Sequence, residues 1–273
     1  MTTRRIFKTM WGAVGSGTRH PTFAEAIPAV AAAGFDGIVF ALIALRFDPD
    51  VGSLDQLHEL CQEHDLDQVF MVMSEGSDAG QHATTLIDEI ESVRGFDPQH
   101  VVAHTGMDSF DRSARDRCFE ALLEYERELP FPIGHETHRT RILFNPWVTR
   151  EVMDDHPDLR FVADLSHWMV VAERLLNDEE ALFAELARRS LHIDARVGHE
   201  EGPQVPDPRI EAWGHHVATF EAWWRTMLDA NPDLILVPEY GPPPYQVVDS
   251  ADADPSQKLW DIADWAAQRL RSL

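Results

Sequence analysis

Four segments decide the fold: FPIGHE at 131–136, LRFVAD at 159–164, SLHID at 190–194 and LILVPE at 234–239. Each is a short apolar run of strand length, and each carries at its carboxyl end a side chain able to bind a cation or move a proton: Glu136, Asp164, His192 and Glu239. In a barrel of parallel strands such ends converge on one mouth, where active sites are built. A single acid at a strand end reads equally well as a helix cap or a solvated loop residue. Four on consecutive strands read as a site. Three carboxylates and one imidazole form an oxygen-rich set suited to one catalytic divalent cation, Mn²⁺ first, with Mg²⁺, Co²⁺ and Zn²⁺ also compatible.

Outward from these segments, strand and helix patterns alternate. IFKTMW at 6–11 reads as a first strand, followed by a glycine-rich turn at 12–20 and a helix from about Pro21 with Thr22 as its cap candidate. GIVFALIAL at 37–45, DQVFMVM at 67–73 and HVVAH at 100–104 read as the next three strands. Helical spacing fills the intervals, over 53–64 with Ser53 as a cap, over 77–94 and over 110–129. Downstream, a short helix is expected at 145–154, one or two at 169–189, a tryptophan-rich one at 212–229 and a last at 254–273. Strand ends recurring about every thirty residues are the mark of repeated βα units. Eight such units suit a closed (β/α)8 TIM barrel better than an open doubly wound sheet, and the whole chain, 1–273, reads as one domain. The glycines of GAVGSG at 12–17 lack dinucleotide-fingerprint spacing, and no Gly-Lys-Ser/Thr follows, so the turn reads as a mouth loop.

Composition narrows the partners. The 273 residues are 44% hydrophobic, enough for a large core. Asp and Glu number 47 against 23 Lys and Arg, a net charge of −24, and Lys8 and Lys258 are the two lysines. A field of that sign repels nucleic-acid phosphates and suits a small neutral ligand. It is also the balance of proteins whose carboxylate surfaces are screened at high salt. Cys61 and Cys118 lie in helical patterns without metal-ligand spacing and read as packing thiols of a reducing compartment. Lys8 interrupts what would be a leader's apolar stretch, and Pro28, Gly34, Asp36 and Gly37 cut the most apolar region, so neither a signal peptide nor a membrane span is expected and a cytoplasmic protein is.

Taken together, Trp11-Gly12, GFDGIVF at 34–40, HVVAHTGMDSF at 100–110, HETHRTRILFNPW at 135–147, FVADLSHW at 161–168, HIDARVGHEEGPQVPDPR at 192–209 and PEYGPPPY at 238–245 resemble the sugar isomerases and epimerases with a xylose-isomerase-like barrel. The resemblance implies that Glu136, Asp164, His192 and Glu239 bind the metal, that His167, three residues after the metal Asp, binds substrate, and that Arg196 contacts it too. Val39 and Phe40 stand where the family often carries a Glu at the end of the second strand. Apurinic-site endonucleases of the same fold family share the Asp164 to His167 spacing but use three metals. Met71-Val72-Met73-Ser74 and Asp207-Pro208-Arg209 lack the further ligands, so that trinuclear site cannot be assembled here.

Other residues join the site by position. His104, closing the fourth strand, either touches substrate or hydrogen-bonds a metal carboxylate, and His138 is a second substrate contact. Trp11, Trp147 and Trp168 could wall a sugar ring, while Trp213, Trp223 and Trp224 suit packing against the barrel or a subunit of a homo-oligomer. The expected chemistry is sugar isomerisation or epimerisation through an enediolate, with Glu136 and Glu239 as the two proton-transferring bases. Two other classes stay open: a lyase of the same barrel, of keto-inositol dehydratase or C-glycoside deglycosidase type, and a non-catalytic sugar-binding barrel. The expected partner is a small sugar or polyol.

Overall fold

The computed structural model describes residues 4–249 and 252–273. Eight parallel strands follow in chain order around one sheet: β1 (Phe7–Thr9), β2 (Gly37–Ala41), β3 (Asp67–Met73), β4 (His100–His104), β5 (Ile133–Glu136), β6 (Phe161–Ala163), β7 (Ser190–Asp194) and β8 (Ile235–Val237). A parallel bridge between Ile6 and Leu236, with Leu236 N donating to Arg5 O at 3.0 Å, brings β8 against β1 and the barrel to closure. Phe7, Val39, Val69, Met71, Val102, Val162, Ile235 and Val237 pack together in its interior.

Among the described residues ten α-helices accompany the strands, α2 at the mouth: α1 (Phe23–Ala32), α2 (Ile43–Phe47), α3 (Leu54–Glu63), α4 (Ala79–Val93), α5 (Arg112–Glu126), α6 (Pro146–Asp155), α7 (Leu165–Ala172), α8 (Glu180–Ala187), α9 (Gly214–Ala230) and α10 (Pro255–Leu270). Many begin on a side-chain cap that satisfies an otherwise orphaned N–H. Ser53 accepts from Gln56 N, Asp78 from Gln81 N, Asp111 from Ala114 N, Asn145 from Val148 N and Asp254 from Gln257 N. Thr22 sits at the N-cap of α1 but makes no side-chain cap bond. The run GIVFALIAL is not one strand. It leaves the sheet after Ala41 and, past a last bond from Leu42 N to Met71 O, turns into α2, satisfying its backbone in a helical turn although β3 continues to Met73. The segment 169–189 resolves into two helices, the first beginning at Leu165, directly after Asp164.

The sequence alternation of β1 turns Phe7 inward and Lys8 outward, under α10. Lys8 is buried, its Nζ 3.5 Å from Asp264 Oδ1 and 4.1 Å from the Trp260 ring centroid, without a hydrogen bond. Burial pushes its ammonium down to about 8, with Asp264 opposing. Between that value and the ordinary lysine range near 10.5 the unfolded chain holds a proton that the folded chain has released, so this group's penalty eases as pH rises through that window. Lys8→Met should therefore stabilise the fold at pH 7 by on the order of 1–3 kcal/mol, with the gain shrinking toward pH 10. Urea unfolding of both proteins at the two pH values checks it.

Candidate active site

The carboxyl ends of the strands open on a cavity of about 580 Å³, lined on one side by His104, Glu136, His138, His167, Arg196 and Glu239. Its polar side rests on the register of β4 to β8. Val102 pairs with Gly134, which puts His104 beside Glu136, and the His104 Nε2 to Glu136 Oε2 distance is 2.5 Å. Glu136 in turn pairs with Val162, and Val162 with His192. In an eight-stranded barrel of this type a constant register descends by about one residue per strand along the axis, the consequence of a shear of eight. His192 therefore lies one inward-facing layer below Glu136, and Asp194, two residues on along the same face, is level with it.

That placement separates the expected metal set. Glu136, Asp164 and Glu239 share the site with Asp194, whereas His192 points into the barrel interior: its Nδ1 is 2.7 Å from His100 Nε2 and its Nε2 is 3.2 Å from Asp194 Oδ1. Both ring nitrogens of His192 are thus engaged. Burial pushes its imidazole down to about 3 and that of His100 well below the usual range, so both rings are neutral. The contacts make one chain from His100 through His192 to Asp194.

Arg196 holds the centre. Its Nη2 donates to Asp164 Oδ2 and, at 2.9 Å, to His167 Nε2; its Nε donates to Ser166 Oγ at 3.1 Å; its Nη1 lies 3.1 Å from Glu239 Oε2. That last contact is Coulombic, since the oxygen lies outside hydrogen-bond alignment. The guanidinium is fully buried, with Tyr245 and Trp11 ring centroids 5.1 and 5.9 Å from its carbon. Burial alone would lower its pKa, but Asp164 and Glu239 outweigh it and hold the cation above the ordinary arginine range. Asp164 also caps α7, its Oδ1 accepting from Ser166 N at 2.8 Å and Ser166 Oγ at 2.6 Å, and Thr137 ties it to β5 by accepting from Asp164 N and donating to Asp164 O.

Four carboxylates gather around this one guanidinium. Burial pushes Glu136 up to about 8, with Asp164 adding to it. Burial also carries Asp194 and Glu239 well above the carboxylate range; their fellow acids add to it and Arg196 opposes it. Asp194 Oδ2 is buried without a partner. Unbalanced negative charge and an orphaned buried carboxylate oxygen are what a divalent cation satisfies, so the residues present fit one. Glu136, Asp164 and His167 offer ligand atoms within 4.8 Å of one another, as do His104, Glu136 and His138.

The imidazoles form a second layer toward the cavity. His138 stands between His104 and His167, with ring centroids 4.6 and 4.0 Å away. Burial pushes His104 down to about 4 and the other two well below the usual range. Because an arginine only donates, His167 Nε2 must accept, which leaves the proton on Nδ1, a buried donor without a partner. The neighbouring His135 turns the other way, beneath α5, where it bonds Thr105 and Glu126. Trp11 lines the cavity beside Tyr245, whereas Trp168 is buried, its Nε1 donating to Leu143 O, and Trp147 is half exposed outside the cavity. Asp194, Ser166 and Tyr245 had no place in the sequence reading of the site. For Asp194 the signal was present: two residues after His192, it shares the same strand face.

The sequence profile described as Xylose isomerase-like TIM barrel matches residues 27–256. Among solved structures, D-allulose 3-epimerase from Methylomonas sp. superimposes with a TM-score of 0.61 at 16% identity, covering 100% of this chain and 99% of that one. The probable 3-DHS dehydratase of petrobactin synthesis from Bacillus anthracis gives 0.67 at 13%, covering 97% and 98%. Endonuclease IV from Thermus thermophilus gives 0.57 at 15%, covering 97% and 99%. At these identities the likeness is one of fold. A search of curated protein sequences finds no significant match.

The site's dependence on one buried cation has a measurable outcome. Arg196→Met strands Asp164 and Glu239 as buried acids, and removing one partner of such a cluster costs about 3–5 kcal/mol. Urea unfolding in the presence of a chelator should show a loss of that size, and added Mn²⁺ should recover part of it.

Proposed function

From a chain that belongs to the xylose isomerase-like TIM barrel family, we propose a divalent-metal-dependent isomerase or epimerase that moves a carbon-bound proton on a small hydroxy-carbonyl compound of the sugar or keto-sugar type. One observation carries this reading: Glu136 and Glu239 face a single cavity from strands three apart around the barrel, with burial pushing Glu136 up to about 8 and Glu239 in the same direction. A general base works best with its pKa near the operating pH.

Members of the family commonly bind divalent metals. Here Glu136, Asp164, Asp194 and Glu239 would hold the ion, with Asp194 taking the place expected of His192. When bound, the ion supplies positive charge opposite the substrate oxygens and makes the neighbouring C–H more acidic. The protein's own groups do the rest. One glutamate takes the proton from carbon and the C–H electron pair moves toward the carbonyl, whose oxygen gains charge. Arg196 and His167 line the same cavity and are the donors that would meet that charge. The other glutamate returns a proton, to the opposite face of the same carbon for epimerisation or to the former carbonyl carbon for isomerisation, in which case the hydroxyl proton of the first carbon also passes to the former carbonyl oxygen. A lyase would share the first half and expel a leaving group instead, and product mass separates the two.

Two measurements test this. Elemental analysis should find about one divalent ion per chain, strongly reduced in Asp164→Asn and Asp194→Asn but retained in His192→Gln, which keeps a hydrogen-bonding amide. An empty His192→Gln beside a loaded Asp194→Asn would return the fourth ligand to His192. In D₂O, the metal-loaded protein should exchange a carbon-bound hydrogen of its ketose or keto-sugar substrate, read by NMR. Glu136→Gln and Glu239→Gln, first shown to be loaded, should each lower turnover by about 10²-fold or more. Full activity in both would overturn the two-base mechanism.

A further inference from the structure

We propose that the substrate has two parts, a hydroxy-carbonyl head held by the polar half of the cavity and an aryl-type apolar substituent seated in the other half. This rests on the reading of the Glu136–Glu239 side as the reacting end.

The cavity is divided by strand. β4 to β8 supply His104, Glu136, Arg196 and Glu239, while β2 and β3 bring only apolar residues to it: Val39, Phe40, Ala41, Met71 and Met73. Met10, Ile43 and Ala44 extend that wall; Ser16 and Thr18 of the glycine-rich turn and Asp48 also line the cavity, beside Phe47, which is 81% exposed on α2. A volume of about 580 Å³ lies in the range that encloses drug-sized ligands, larger than one sugar ring requires.

A second sugar unit does not suit this half. Those of its hydroxyls seated against β2 and β3 would leave water and find no donor or acceptor there, an uncompensated loss for each. An apolar group gains there from the area it removes from water. The thioethers of Met10, Met71 and Met73 favour a flat aromatic ring over an alkyl chain, since sulfur makes favourable contacts with ring edges and adapts to ring shape. Trp11 and Tyr245, packed edge to face at 4.8 Å and lying beside Arg196, stand where the two halves meet and offer a further ring surface.

The experiment is titration calorimetry of the Mn²⁺-loaded protein with three stable probes: methyl β-D-glucopyranoside, phenyl β-D-glucopyranoside and cellobiose. The phenyl glucoside should bind at least about tenfold tighter than the methyl glucoside, and cellobiose should show no such gain. Met73→Gln, which places an amide in the half-buried wall, should reduce the phenyl preference severalfold while methyl glucoside binding stays the same. Ala41→Ser is the smaller second change at the same wall. A phenyl glucoside no tighter than the methyl one, including no measurable binding by either, overturns the proposal, as does cellobiose matching the phenyl glucoside or a preference unmoved in both folded variants. Selective phenyl binding without hydrogen exchange on any keto-sugar would instead overturn the proposed reaction and leave the two-part pocket standing.

Discussion

At the mouth of this barrel, one guanidinium is shared by acids from different strands. Arg196 leaves the chain just after β7 and reaches Asp164 at the end of β6 and Glu239 beyond β8, with His167 and Ser166 from the first turn of α7 on its flank. Removed from water, the guanidinium needs those acids as its countercharge, and its loss would leave them buried without theirs. The other features of the site follow from this balance. Asp164 is directed by the α7 cap on one oxygen and by Arg196 on the other, the His167 tautomer is set by Arg196 as donor, and Glu136 and Asp194 are left with charge to settle. A site with acid to spare is prepared for a second positive charge, from an ion or from protons.

Much of this was legible in the sequence because strand ends in parallel barrels carry the chemistry and helices carry their caps. The acids Glu136, Asp164 and Glu239 announced themselves by closing apolar runs, and the period of the strands announced the barrel. What could not be read was depth. Sequence order tells which residues face inward, with period two, but the axial level of each depends on the stagger between strands. His192 and Asp194 are equally inward by that rule, and the descent from β5 to β7 decides which of them meets Glu136. The same limit hid the ending of β2: LIAL is as apolar as the strand before it, and apolar character alone does not mark where the strand gives way to α2.

Orientation within polar clusters was illegible for a different reason. In His135-Glu136-Thr137-His138 all four residues are polar or charged, so the alternation of apolar and polar side chains that reveals a strand's faces is absent. The structure sends His135 under α5 and Glu136 into the mouth, while Thr137 bridges to β6 and His138, past the strand, folds back over the cavity. The apolar half of the cavity was visible only in part, as the absence of an acid at Val39 and Phe40. That absence gains meaning once Met71 and Met73 are seen to continue the same wall.

The chain of contacts from His100 through His192 to Asp194 gives the inside of the barrel a polarity. His100 begins β4, at the end of the barrel remote from the cavity, yet it bonds one ring nitrogen of His192, whose other nitrogen bonds an oxygen of Asp194. The carboxylate at the mouth is therefore steered from the floor, through two rings that solvent does not reach. A change at His100, far from any ligand and in no contact with one, would release the His192 ring to turn or exchange tautomers and so alter the direction in which Asp194 offers its remaining oxygen. In this protein the base of the barrel, ordinarily the half concerned with stability, is joined through side chains to the half that holds the candidate site.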